Sequence, residues 1–174
     1  RLPQTARKWR GSRRLTSGGW YRRSPIAGKN LVGGVTDRAR VRLYWPVDLR
    51  AALDALFAID DVLAEVVASS TQPALGAIRL AWWREALERL DHHPPPPEPR
   101  LQAAAEHLLP RGVTGAMLAE IEDGYASLLE EQPDAERIGE CGARLFGIGA
   151  KLRGARGSRL AGAGRLHVFA RAAR

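Results

Sequence analysis

The sequence predicts an all-α body framed by two basic ends, and three observations carry that expectation. The stretch from Asp48 to Leu90 reads as two amphipathic helices joined by a turn. No alternating apolar–polar run of useful length signals a strand, and no internal repeat is present. Charge is segregated: residues 1–42 carry +11, residues 43–149 carry −10, and residues 150–174 carry +7. An acidic helical body therefore lies between two Arg-rich, Gly/Ala-rich ends.

The elements follow in order. Residues 1–35 lack periodicity and an apolar stretch of signal-peptide type, so they read as a basic, disordered leader. Helical structure is expected from about Thr36 or Pro46, with Asp37 beginning a short helix over DRARVRLYW. Pro46 suits the first turn of the next helix, which runs to about Ser69. Pro73 opens a second long helix, Ala74 to Leu90, which stops before Asp91-His92-His93 and a stiff run of four prolines. Further helices are expected over Arg100–Leu109, Thr114–Glu131 and Asp134–Leu152, with Thr114 as an N-cap and Gly154 as a stop. Residues 154–174 read as a basic tail, disordered or translated from a misread frame.

Length and composition bound the function. At 174 residues the chain is one domain or slightly less, long enough to bury a core. No apolar run approaches the roughly 18–20 residues that span a bilayer. The single cysteine, Cys141, excludes an internal disulfide and a cysteine-rich metal site, and suits a reducing, cytoplasmic setting. The basic ends could meet anionic lipid headgroups, which would make the protein peripheral to a membrane. Nucleic-acid binding is disfavoured, because no aromatic–basic interleaving accompanies the charge. There is no Ser-His-Asp constellation, P-loop or dinucleotide-binding glycine pattern, and the four histidines do not stand at metal-ligand spacings.

Helical geometry singles out the carboxylates. At about 100° per residue, Leu49, Leu53, Leu56, Ile59, Leu63 and Val67 form one buried stripe. Asp54, Asp61 and Glu65 fall on the opposite side, whereas Asp60 falls inside the stripe. A buried carboxylate needs a partner, a cavity or a metal. Arg79, on the Leu75–Arg79–Trp82–Ala86 line of the second helix, is a candidate partner; a ligand cavity or a departing helix end are the alternatives. Trp83 and Leu87 complete the apolar face expected of that helix. Asp61 and Glu65, four residues apart, are close enough to bridge one divalent cation, or simply form an acidic surface.

Several pieces together resemble the N-terminal part of the squalene/phytoene synthase family. They are Ala55-Leu56-Phe57-Ala58; Gly76-x-x-Arg79-x-x-x-Trp83-Arg84; Asp37-Arg38-x-Arg40 with Leu49-Arg50-x-Ala52-Leu53; and the small-residue stretch from Glu136 to Ala143 with Gly147-Ile148-Gly149. The resemblance covers residues 37–153. It implies part of an all-α isoprenoid-synthase-type bundle, and a relation to enzymes that join two prenyl diphosphates head to head. In those enzymes two aspartate-rich motifs hold Mg²⁺ around the diphosphates. Carried over, Asp60, Asp61 and Glu65 become the candidate Mg²⁺ ligands and Arg79 a candidate phosphate contact. The chain departs from the pattern. With Asp60-Asp61 as the start of the first motif, Ala64 stands at its last aspartate position. With the flanking register, Ala64 and Ala68 stand at the first and last. The second motif would lie beyond residue 174, so an incomplete domain, inactive by itself, is expected. The register over Ser69, Gly76, Arg79 and Trp83 is similar to a non-catalytic branch, the respiratory complex I assembly factors, which share the fold with degraded acidic motifs. Partners implied are a prenyl diphosphate or a protein. A helical half-domain with uncovered apolar faces is also expected to form a homo-oligomer.

Overall fold

A computed structural model describes residues 37–155 and 159–172, and the expected disordered leader lies outside them. The described residues form α-helices and short 3₁₀ turns, with no strand. The helices are α1 (Asp37–Leu43), α2 (Arg50–Ser69), α3 (Pro73–Arg89), α4 (Pro99–His107), α5 (Gly115–Ala119), α6 (Glu122–Ser127), α7 (Ala135–Leu152) and α8 (Arg159–Ala172).

The 20-residue α2 is the centre of the core. Its expected stripe, Leu53, Leu56, Ile59 and Leu63, is almost wholly removed from water. Ala52, Ala55, Val62 and Val66 extend the burial around the helix, because α3, α4, α6 and α7 all pack against it. Small and β-branched side chains there allow that many neighbours to approach.

Pro73 opens α3 as expected, but the helix is rotated from the expected orientation. Gly76, Leu80, Trp83 and Leu87 are buried, while Leu75, Ile78 and Trp82 are exposed. Two features fix the rotation. A Cβ at Gly76 would lie 2.8 Å from Leu129 Cδ1, so that edge is pressed against its neighbours. Trp83, the largest side chain able to reach the core, then turns inward beside Leu80 and Leu87.

After the proline connector, Glu98 caps α4 by accepting from Leu101 N at 2.8 Å. Thr114 caps α5 as expected, accepting from Met117 N at 3.1 Å. Asp91 reinforces that start, accepting from the N–H groups of Gly115 and Ala116. The single helix expected over Thr114–Glu131 is instead divided into α5 and α6. At the division Ile121 N–H turns to Leu118 O (3.2 Å), which drives the fully buried Ile121 into the core.

Asp134 caps α7, accepting from Glu136 N and Arg137 N. The helix stops at Gly154, whose φ of +65° suits a residue without Cβ. Beyond it, where an unstructured tail is expected from composition, residues 159–172 form α8 along α7. The contact is backbone to backbone: a Cβ on Gly142 would lie 2.2 Å from Gly164 O, and one on Gly164 would lie 2.0 Å from Gly142 O. Ala, Arg and Leu are good helix formers, and the acidic residues of α7 supply ion-pair partners. Arg165 reaches Glu136 at 3.0 Å and Glu140 at 2.9 Å.

This packing sets two opposed expectations for glycine-to-alanine changes within α8. Gly162 has nothing near its missing Cβ, so Gly162→Ala is expected to gain about 0.5–1 kcal/mol of helix stability. Gly164→Ala should instead lose about 1–3 kcal/mol, because the methyl group meets the α7 backbone. Hydrogen exchange of the α8 amides in the two variants reads the sign directly.

Candidate functional site

The site is built on the polar break in the α2 stripe. Asp60 is 0% exposed, as its place in the stripe requires. Its partner is not Arg79. Tyr125 Oη of α6 donates to Asp60 Oδ1 at 2.5 Å, and Arg171 Nη1 of α8 donates to Oδ2. Arg79 is exposed and donates to Ser69 Oγ at 3.1 Å. The expected Asp60–Arg79 pair is thus corrected: α3 is rotated to bury Leu80 and Trp83, and α8 supplies a guanidinium instead.

Arg171 also reaches the neighbouring carboxylate, with Nη2 3.2 Å from Asp61 Oδ1. Asp61 is half-exposed and is further clamped by Arg38 of α1, which donates through both terminal nitrogens, Nη2 to Oδ1 at 2.9 Å. The Arg38 guanidinium lies 4.6 Å above the Phe57 ring, adding a cation–π contact. Glu65, exposed, faces Arg100 of α4 at 3.5 Å. About two turns before the cluster, Asp54 takes a two-point contact from Arg42 Nε at 3.0 and 2.8 Å.

The electrostatics follow from burial. Burial disfavours the Arg171 cation, and the Asp60 charge reverses that effect, holding Arg171 above its ordinary range. Burial, then the Asp60 charge, raise the Tyr125 hydroxyl well above 10.0. The same two causes push the buried Cys141 thiol up from 9.0 to about 12. A second buried carboxylate, Glu122, is raised by burial while Arg84 Nη1 at 3.3 Å works against the rise.

Beside the cluster an apolar cavity of about 330 Å³ opens between α1, α2, α7 and α8. Val41, Trp45, Leu56, Phe57, Phe146 and Leu160 are among its walls. Arg153 lines its polar edge, with its guanidinium 5.6 Å from the Trp45 ring centre. Phe57 belongs to both places, one side facing the cavity and its ring carrying Arg38.

The structure therefore brings Asp60 and Asp61 together and leaves Glu65 and Arg79 at separate exposed positions. The donors do not suit Mg²⁺ in this arrangement. A hard divalent cation needs several oxygen atoms with free lone pairs converging on it. Here the Asp60 and Asp61 oxygens accept from Tyr125, Arg38 and Arg171, and Glu65 turns to Arg100. Among the described residues no group of three His, Cys, Asp or Glu side chains could hold a metal ion. His92 and His93 are exposed in the connector. Sequence reasoning missed Tyr125 and Arg171. For Tyr125 the available signal is Gly124, whose missing Cβ would lie 2.4 Å from Cys141 Cβ, marking a close approach of α6 to α7. Nothing distinguishes Arg171 from the other tail arginines in sequence.

Comparison with protein families finds a match to squalene/phytoene synthase over residues 33–137. Searches of curated proteins and of solved structures find no match.

The buried network predicts graded losses of stability. Asp60→Ala removes the buried carboxylate that Tyr125 and Arg171 meet, leaving Arg171 only its Asp61 contact, and should cost about 3–5 kcal/mol, whereas Tyr125→Phe should cost about 1–2 kcal/mol. Urea unfolding of the two variants gives the ranking.

A pH dependence follows from Cys141. An unfolded chain releases the thiol proton near 9.0, while the folded chain retains it to about 12. Between those values the native state binds more protons, so stability falls as pH rises, by about 1.4 kcal/mol per unit. Below pH 9 both states keep the proton and the effect vanishes. The urea midpoint should drop from pH 9 to pH 11, and Cys141→Ala should shallow that drop.

Proposed function

The chain belongs to the squalene/phytoene synthase family, and we propose that within it this protein is a non-catalytic helical scaffold, of the kind represented by respiratory complex I assembly factors, rather than a prenyl-transferring enzyme by itself. The observation that carries this reading is the closure of Asp60 and Asp61 by Arg171 and Arg38. Release of diphosphate needs divalent cations to stabilise the departing charge. Tethered guanidinium groups stand on the carboxylates that would hold such an ion, and Ala64 and Ala68 offer no oxygen at the neighbouring motif positions.

In this reading the protein binds a protein partner through its helical surface. It works in the cytoplasm or against a membrane surface; no helix among the described residues is long and apolar enough to cross a membrane.

The apolar cavity favours a second reading, in which a prenyl diphosphate is bound without turnover. Its tail would lie along Trp45, Leu56 and Phe146, and its diphosphate would meet Arg38 or Arg153 without a metal.

Calorimetry with farnesyl and geranylgeranyl diphosphate, with and without Mg²⁺, separates these readings. The scaffold reading expects no metal-dependent binding by the folded protein. Metal-dependent binding abolished by Asp61→Ala with Glu65→Ala, both at water-accessible positions, would overturn it and restore the diphosphate site. Metal-independent binding lost in Arg38→Ala would select the second reading.

A further inference from the structure

The corner where α1 turns into α2 exposes apolar side chains and gathers cations at the same place. Val41, Leu43, Tyr44 and Val47 are 49%, 66%, 82% and 77% exposed. Around them stand Arg50 of α2, Arg111 of the turn after α4, and Lys151 and Arg153 at the end of α7. Three of these side chains hold the corner by its backbone. Arg50 donates to Trp45 O at 3.1 Å and to Leu43 O at 3.3 Å. Arg153 donates to Tyr44 O at 3.3 Å, and Arg111 to Asp48 O at 3.0 Å. Lys151 stands beside Arg111, with its Cε 3.7 Å from where Gly112 would carry a Cβ.

Two properties set this corner apart from an ordinary exposed turn. The first is uncompensated charge. Arg38, Arg42, Arg165 and Arg171 all end on carboxylates. The four cations of the corner end on carbonyl oxygens and the Met117 thioether instead, among the described residues. Asp48 is the one acid in the stretch 41–48. The second property is a satisfied backbone. Besides the carbonyls already paired, Tyr44 N–H and Trp45 N–H donate to Val41 O and Arg42 O at 3.0 and 3.2 Å, and Pro46 has no N–H. A turn paired in this way loses little when the water around it gives way to a less polar medium.

We propose that this corner seats the protein on an anionic lipid surface, with Leu43, Tyr44 and Val47 entering the boundary between headgroups and acyl chains. Arg50, Arg111, Lys151 and Arg153 then lie at the level of the phosphates. A bilayer supplies both halves of the match: anionic oxygens for the cations, and an apolar layer just beneath them. Tyrosine is favoured at that depth, and each guanidinium keeps N–H donors beyond those given to the turn. The apolar cavity of about 330 Å³ shares Val41, Trp45 and Arg153 with the corner, so the apolar surface continues inward from the turn. Other occupants match only one half. A second copy would set cation against cation, and residues 1–36 carry basic groups and no acid. Nucleic acid would satisfy the arginines but give Leu43 and Val47 nothing to bury against. The corner gives a definite face to the membrane-surface placement proposed above and rests on that placement, not on the state of the acidic cluster.

Co-sedimentation of the full chain with vesicles tests it, using phosphatidylcholine alone and phosphatidylcholine with about one-third phosphatidylserine. The parent should bind the anionic vesicles at least about tenfold more tightly than the neutral ones, and should be released as salt rises. Leu43→Ser with Val47→Ser leaves the net charge unchanged and should weaken binding by about tenfold or more. Arg111→Gln with Lys151→Gln should weaken binding to the anionic vesicles by a similar factor and leave the neutral ones unaffected. Leu75→Ser with Ile78→Ser, which removes exposed apolar groups from α3, should change nothing. Circular dichroism checks the fold of each variant. Anionic-vesicle binding indifferent to Leu43→Ser with Val47→Ser, as the basic ends alone would give, would overturn the corner while keeping the membrane placement. Equal loss in the α3 variant would do the same. No binding by the folded parent would overturn both and leave the corner to an acidic protein.

Discussion

A carboxylate with no exposed surface imposes requirements on everything around it, and Asp60 imposes them here. A buried, ionised carboxylate is tolerable only when its oxygens are paired and hydrogen-bonded. Tyr125 satisfies one oxygen and Arg171 the other, so α6 and α8 must both be held close to α2. That need explains the packing of the second half of the chain. A Cβ at Gly124 would collide with Cys141, so its absence lets α6 settle onto α7. Gly142 and Gly164 then let α8 lie directly on the α7 backbone. With larger residues at these crossings the Arg171 guanidinium would stop short of Asp60, and the carboxylate would be left without its cation.

The same logic gives the segregated charge a structural meaning. The acidic middle of the chain meets basic groups from both flanks: Arg38 and Arg42 of α1 on Asp61 and Asp54, and Arg165 and Arg171 of α8 on α7 and α2. The described parts of the two basic ends thus neutralise the chain's own acidic helices, where composition alone points outward to headgroups or phosphates. Most of these pairs are half-exposed, and each such pair contributes little by itself. Arg171 differs because one of its partners is buried, so its loss would leave a charge that water cannot solvate.

What could be read in sequence was whatever depends on local pattern. The α2 stripe, the Pro73 start, the Thr114 cap and the Gly154 stop all follow from periodicity or from a single residue's backbone chemistry. The inward position of Asp60 follows too, since it is a matter of angle along one helix. What could not be read depends on how helices meet. The rotation of α3 turns on a close approach at Gly76, and apolar residues on two sides of that helix gave periodicity no means of choosing between them. The division of α5 from α6 answers to the burial of Ile121. The choice of Arg171 over Arg79 as the Asp60 partner spans 111 residues and rests on a Gly–Gly crossing. The ion pairs around the candidate Mg²⁺ ligands were hidden for a related reason. Sequence showed the acids but not the arginines that converge on them.

A tethered cation constrains a carboxylate cluster differently from an exchangeable one. A bound metal leaves coordination positions for a second ligand and departs when its affinity is exceeded. A guanidinium fixed on α8 donates along its own plane and fills the lone pairs it meets. Because it is covalently attached, its effective concentration at the carboxylate is set by α8 rather than by solution. Any ligand that needs the Asp60–Asp61 oxygens must therefore displace Arg171 and bear the cost of loosening α8 from α7. The Arg171 contacts join the last described helix to the centre of the fold.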